Sequence, residues 1–319
     1  MNLSQTLKEL REANVACIVF GPPGCGKSAA AKEAAGEDQL IDLRLSMVDP
    51  LDLRGLPMPT ENGIKWSRPD FLPSEGKGVL LLDELNTAQP SVMNAALQLV
   101  LDRRCGPHVL PKDWWVMACC NRAEDKAAVI SLPSPLLNRF VVLQYEPEIR
   151  EWSNWAIKNN INEDVIGFLN FREPLLYQPP SANEYANFPT PRSWATVSKM
   201  LNVGLTTCVS GAIGEGAAIE FDAYVKAKKD LPDLESLMND EHIEELKIKP
   251  SVAYAVTVGL AFKCIKTPEK ISKGMKVARL LSPELTALFI SLLLAAVPTQ
   301  VIRNPVVVKW MTENKYLLT

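Results

Sequence analysis

The stretch GPPGCGKS, Gly21 to Ser28, decides how the rest of the chain is read. An apolar run, ACIVF (Ala16–Phe20), leads into it, and a helix-forming run, AAAKEAA (Ala29–Ala35), follows. Strand, glycine-rich loop and helix in that order is the context in which backbone N–H groups can curl around a phosphate. Gly21, Gly24 and Gly26 let the backbone come close, and the following helix points its positive end at the bound anion. Pro22, Pro23 and Cys25 complete the loop, with Cys25 read as a small residue tolerated there rather than a redox centre. Lys27 is placed to reach the β- and γ-phosphates of a nucleoside triphosphate, and the Ser28 hydroxyl to ligate Mg²⁺.

Working outward, a second signal is GVLLLDELNTA, Gly78 to Ala88. Its apolar run ends in Asp83 and Glu84, at the strand edge where doubly wound sheets bind ligands. Asp83 can hold Mg²⁺ through water, and Glu84 can polarise an attacking water. In isolation the same residues read as an acidic turn after a buried strand; the phosphate loop upstream gives them a task. A third apolar run, WWVMACC, ends in Asn121, whose uncharged amide can position that water or sense the γ-phosphate. As a lone residue it would read as a turn former.

The strand candidates Val15–Phe20, Gln39–Leu43, Gly78–Asp83, Trp114–Asn121 and Phe140–Tyr145 alternate with helical patterns, which predicts an α/β unit with a parallel sheet. Beyond Ile149 the pattern turns helical, broken by prolines at 174, 179–180 and 189–191, and a polar stretch from Asp230 to Pro250 precedes a last helical part. At 47% hydrophobic and 22% charged, the chain can bury a sizeable core. Its net charge of −3 supplies no basic footprint, so nucleic acid is not favoured as a partner. Seven cysteines without a C-x-x-C pair, and two histidines, fit a reducing compartment better than disulfides or a zinc site. The apolar stretch Leu285 to Val297 is too short to span a bilayer, and the N-terminus does not read as a signal peptide; a cytoplasmic location is the expectation.

Phosphate loop, Asp-Glu strand, strand-terminal asparagine and an arginine before a strand, in that order, resemble an AAA+ ATPase. Within that superfamily DELNTAQPSVMNAALQLVLDRR is similar to the MoxR group, whose matching stretch usually reads D-E-I-N-R-A followed by a proline and an amphipathic helix. The resemblance covers about Val15 to Leu201; Thr87 departs from it, standing where the group often carries arginine.

The resemblance implies an AAA+ P-loop αβα core with a parallel five-stranded sheet over residues 1–147, an all-helical lid over 148–229 and a helical C-terminal extension over 230–319. It implies an insertion in the second helix, for which LPMPTENGIKW (Leu56–Trp66, turn at Asn62–Gly63) is the candidate, and a hairpin before the sensor strand, for which RRCGPHVLP (Arg103–Pro111) is the candidate. Arg192, near the start of a helix opened by Pro191, looks like the arginine through which the lid senses the nucleotide. Arg139, in LLNRF (Leu136–Phe140), is an ordinary surface cation when read alone. In the AAA+ pattern an arginine there enters the neighbouring subunit's site, with Arg122 and Arg68 as fallback candidates. The resemblance therefore implies ATP and Mg²⁺ as ligands and a homo-oligomeric ring, expected to be hexameric. It also implies work on a protein client, often with a partner carrying a von Willebrand factor A-type domain. A nucleic-acid motor or clamp loader, and a nucleotide-gated scaffold with little turnover, are the competing readings; the intact Asp83–Glu84 pair speaks against the scaffold.

Overall fold

A computed structural model describes residues 2–61, 63–125, 130–179, 187–228, 233–240, 246 and 248–317. Asn62, half of the expected hairpin turn, lies outside them. The chain divides into two compact units, Met1–Glu146 and Pro147–Thr319.

In the first unit the strands are β1 (Cys17–Phe20), β2 (Gln39–Arg44), β3 (Pro57–Thr60), β4 (Gly63–Trp66), β5 (Gly78–Asp83), β6 (Arg104–Cys105), β7 (His108–Val109), β8 (Trp114–Cys120) and β9 (Val141–Gln144). Its helices are α1 (Leu3–Glu12), α2 (Lys27–Ala35), α3 (Pro50–Arg54), α4 (Pro90–Leu101) and α5 (Ser134–Leu137). Five strands form one sheet in the order β2-β5-β8-β1-β9, and every pairing in it is parallel. This is the αβα P-loop core expected from the sequence, with strand limits within two residues of the apolar runs.

Strand side chains point alternately to opposite faces, and the two halves of the core follow that alternation. Cys17, Val19, Val79, Leu81, Trp115 and Met117 pack under α1 and α2, against Leu3, Leu7, Ala31 and Ala34. Ile18, Leu80, Leu82, Trp114, Val116 and Ala118 face the other way, onto Leu53 of α3 and Val92, Ala96 and Leu99 of α4. Both faces of the central strands β1, β5 and β8 are covered, so these strands read as continuous apolar runs rather than as alternating ones.

Both expected hairpins are present: β3 pairs with β4 from Pro57↔Trp66 to Thr60↔Gly63, and β6 with β7 at Arg104↔Val109. They are laced together at their bases. A His108 ring nitrogen lies 2.9 Å from the Ser67 carbonyl oxygen, and the Cys105 thiol donates to the Leu53 carbonyl at 2.8 Å. Met58 and Ile64 on the first hairpin are exposed.

The second unit is helical: α6 (Ile149–Lys158), α7 (Glu163–Phe171), α8 (Pro191–Asn202), α9 (Val209–Ile213), α10 (Glu215–Lys228), α11 (Leu234–Asn239), α12 (Pro250–Lys266), α13 (Ile271–Ala278), α14 (Pro283–Ala296), α15 (Pro298–Arg303) and α16 (Pro305–Glu313). Buried side chains from the stretch read as lid (Val165, Phe168, Trp194, Phe221) and from the stretch read as extension (Val256, Leu260, Phe289, Leu293) belong to one core. The reason is α12, which packs on α7 and α10 on one side of the boundary and on α14 on the other. The apolar stretch beginning at Leu285 is α14, a buried helix as expected, and among the described residues no helix is long and apolar enough to cross a membrane.

Candidate active site

The register places the proposed site on one edge of the sheet. Phe20 stands opposite Cys120 and Gln144, and Asp83 opposite Arg44, so the loops after β1, β5 and β8 all leave from the C-terminal ends of parallel strands. The connection leaving β1 runs to β2 on one side, whereas that leaving β8 crosses to β9 on the other. A crevice opens where two connections diverge in this way.

Gly24 and Gly26 in the loop have φ of 73° and 103°, a region open to glycine and costly for other residues. Gly21 is required for a different reason: a Cβ there would meet the Tyr145 carbonyl oxygen at 2.8 Å. Gly21→Ala should therefore cost about 1–3 kcal/mol through overpacking against backbone that cannot yield, seen as a lowered Tm. An unchanged melting curve would show that the loop adjusts freely. Cys25 is buried, and burial raises its thiol pKa above the usual value, which suits packing rather than redox chemistry.

Lys27 opens α2 and is only 8% exposed. Its Nζ donates to the carbonyls of Gly21 at 2.8 Å and Pro22 at 2.9 Å, and to Asn121 Oδ1 at 3.3 Å. Among the described residues it forms no ion pair with a carboxylate. Ser28 Oγ donates to Asp83 Oδ2 at 2.8 Å. A hydroxyl and a carboxylate are hard oxygen donors of the kind Mg²⁺ takes beside phosphate oxygens and water, so this pair fits the ion. Asp42 on β2 is held above the usual carboxylate range, by burial first and then by the charge of Asp83, which marks this sheet edge as acidic.

Glu84 has left-handed backbone, φ 57°, which turns the chain off the strand; its N–H is bonded to Asp83 Oδ1 at 2.9 Å. The Ser46 hydroxyl donates to the Glu84 carboxylate. Thr87, the departure from the MoxR-like pattern, closes the same turn by donating Oγ1 to the Glu84 carbonyl at 3.0 Å. Sequence reasoning missed two residues here. Ser46 gave no signal, because it meets Glu84 only through the pairing of β2 with β5. Asn86, buried at 3% exposure, donates Nδ2 to the Asn121 carbonyl at 2.7 Å and accepts the Asn121 N–H at Oδ1 at 3.1 Å. It stood inside the quoted Asp-Glu motif, where a buried amide two residues past an acid pair was the available signal.

The three arginines considered for a neighbouring site are now distinguishable. Arg122 is tied to carboxylates: Nε and Nη2 donate to Asp125 at 2.8 and 2.9 Å, and Nη1 reaches Glu146 at 2.9 Å. These partners raise its pKa further still. Arg68 is spent on the carbonyls of Leu72, Pro73 and Val109. Arg139 is exposed in the turn between α5 and β9, and among the described residues its guanidinium has no hydrogen-bond or ion-pair partner. It also lies at the N-terminal edge of the sheet. β9 runs parallel to β1, with Val141 opposite Cys17 and Gln144 opposite Phe20. At ~3.3 Å per residue, Arg139 stands at least ~10 Å from its own phosphate loop.

Arg192 belongs to the helical unit. It is exposed at the second position of α8, after Thr190 and Pro191; Thr190 and Ser193 cap that helix reciprocally at 3.0 and 2.8 Å. An exposed cation at a helix N-terminus opposes the dipole, so no stability argument places it there.

Fold and site together define a class: an α/β core with a parallel five-stranded sheet and a glycine-rich loop between its first strand and the helix that follows, with a helical part after it. No protein-family model matches the chain, and no curated protein matches it. Among solved structures the chain is similar to NtrX from Brucella abortus in complex with ATP. Identity is 15%, the match covers 87% of this chain and 67% of that one, and the TM-score is 0.43. It is also similar to a RuvB variant from Thermotoga maritima, at 15% identity, 81% and 79% coverage and a TM-score of 0.39. Likenesses this distant add no weight; strand order and site geometry carry the assignment.

Proposed function

We propose that the chain is an ATP-hydrolysing AAA+ ring ATPase of MoxR-like type, which turns hydrolysis into conformational work on a protein client or partner. The observation that carries the nucleotide reading is Lys27. A buried ammonium without a carboxylate partner is expensive unless an anion completes its surroundings. Here it sits at a helix start, inside a glycine loop whose N–H groups favour an anion as well.

In this reading Lys27 binds the β- and γ-phosphates, and Ser28 and Asp83 hold Mg²⁺, which when bound neutralises charge on the phosphate oxygens. Glu84 accepts a hydrogen bond from the attacking water and orients it; the Ser46 hydroxyl must share or yield that carboxylate. Asn121, already in contact with Lys27, aims its amide at the γ-phosphate. Arg139 serves the adjoining subunit's site, which its place on the opposite sheet edge and its lack of a partner among the described residues both favour. Arg192 reports the nucleotide to the lid. The client surface would include the first hairpin, where Met58 and Ile64 are exposed, and a von Willebrand factor A-type partner follows from the MoxR-like resemblance. The location proposed is the cytoplasm.

The test is Lys27→Ala with a fluorescent ATP analogue. Losing a desolvated charged contact costs about 2–5 kcal/mol, so affinity should fall by more than tenfold. Unchanged ATP affinity in a folded variant would sink the phosphate-loop assignment.

A further inference from the structure

We propose that Asn86 is a positioning residue for hydrolysis: its side-chain amide grips the backbone of Asn121 and so aims the Asn121 side chain at the transferring phosphate. This rests on the ATPase reading above.

The argument begins where the sheet ends. β5 and β8 pair in register up to Leu82↔Ala118, and then the chain turns away at Glu84 with φ 57°. Strand pairing can go no further, which would leave the Asn121 N–H and C=O without a neighbour. Asn86 supplies one. Its Oδ1 takes the Asn121 N–H at 3.1 Å and its Nδ2 gives to the Asn121 carbonyl at 2.7 Å, one side chain standing in for the C=O and N–H that two residues of a parallel neighbour would have supplied. Both bonds fall on one residue, and that residue's side chain touches Lys27 Nζ at 3.3 Å.

The anchorage is stiff in three directions. Asn86 is 3% exposed, and a buried amide tolerates no loss of its partners. Its own carbonyl accepts the Ile130 N–H at 2.7 Å, and the phosphate loop is tied to the same strand end by Gly21 N–H to Cys120 O at 3.3 Å. Glu84 lies two residues before Asn86 in the same tight turn, so the grip also fixes the distance between water-orienting carboxylate and sensor amide. A residue that merely filled space here would need no such bonds and could be leucine. The acceptor and donor of an amide match the peptide of Asn121 in one orientation, and an acid of the same shape does not.

Asn86→Asp keeps the shape and one bond but sets a carboxylate oxygen against the Asn121 carbonyl. With ATP and Mg²⁺ and the full chain, kcat should fall about 10–100-fold, as when an outer group orienting a site residue is removed. The Kd for an ATP analogue and KM should stay within about twofold, because Lys27 and the loop are untouched. In an Asn121→Ala background the same substitution should cost nothing further in kcat, since no side chain remains to aim. Asn86→Ala, checked by its melting curve, gives the same comparison if the aspartate variant does not fold. Parallel losses of Kd, KM and Tm would overturn the proposal in favour of a structural role, and a full multiplicative loss in the Asn121→Ala background would show that Asn86 acts elsewhere. Failure of the underlying reading looks different: the unsubstituted protein would then turn over ATP no faster than Lys27→Ala.

Discussion

Glu84→Gln should bind ATP as tightly as the unsubstituted protein and hydrolyse it about 10²–10⁴-fold more slowly, the range expected when a positioned general base is lost. The change removes a charge and keeps a shape. The backbone that gives Glu84 its turn is held by the Asp83 carboxylate and by Thr87, neither of which depends on the Glu84 side chain. Ser46 can still donate to the amide oxygen of glutamine. Ser28 and Asp83, hydrogen-bonded at 2.8 Å, remain as the proposed Mg²⁺ pair, and Lys27 keeps its contacts with Gly21, Pro22 and Asn121. Binding and chemistry are thus separated by a single atom exchange. The measurement is single-turnover hydrolysis alongside analogue binding. Near-normal hydrolysis would mean that another group orients the water, and Asp42, whose pKa is raised by burial and by the charge of Asp83, would be the next to examine. A variant that holds ATP without hydrolysing it would also be the form in which to look for the proposed client.

What could be read from the sequence was whatever is local. The glycine loop, its strand and its helix are contiguous, so the φ values of Gly24 and Gly26 and the helix start at Lys27 follow from neighbours. The acid pair is legible because a run buried on both faces must end where the sheet ends. The rest depends on which strands become adjacent. Ser46 meets Glu84 across 38 positions, and Asn86 meets Asn121 across 35. Neither pairing has a spacing rule, since each is created by the crossover order of the sheet. The arginines show the same limit. Arg122, the fallback to Arg139 in the sequence, could be set aside only once folding brought Glu146, 24 positions on, alongside Asp125 to occupy it. In the helical unit the polar stretch after Asp230 suggested a boundary, but polarity reports exposure of a connection and says nothing of whether the helices beyond it share a core. Here α12 makes them share one.

Arg139→Ala should lower turnover by ~10³–10⁵-fold, the usual worth of an arginine that stabilises charge on the transferring phosphoryl group. Its decisive test is one of geometry. In our reading each site takes Glu84 from one subunit and Arg139 from its neighbour, because the two residues lie on opposite edges of the same sheet. Homo-oligomers of Glu84→Gln and of Arg139→Ala should each be nearly inactive, for different reasons. Mixed and allowed to exchange subunits, they should regain activity. An interface is whole wherever an Arg139→Ala subunit, with Glu84 intact, faces the Arg139 of a Glu84→Gln subunit. Random mixing in equal amounts makes roughly one interface in four competent on this trans geometry. If Arg139 served its own subunit's site, no arrangement of the two variants could bring both good residues together. Arg122 provides the control. Its guanidinium is held by Asp125 and Glu146, so Arg122→Ala should act within its own chain, and mixing it with Glu84→Gln should restore nothing beyond dilution. A mixture of the Arg139 and Glu84 variants as inactive as its parents, with subunit exchange shown independently, would remove the trans arginine and with it the requirement that the protein work as a ring.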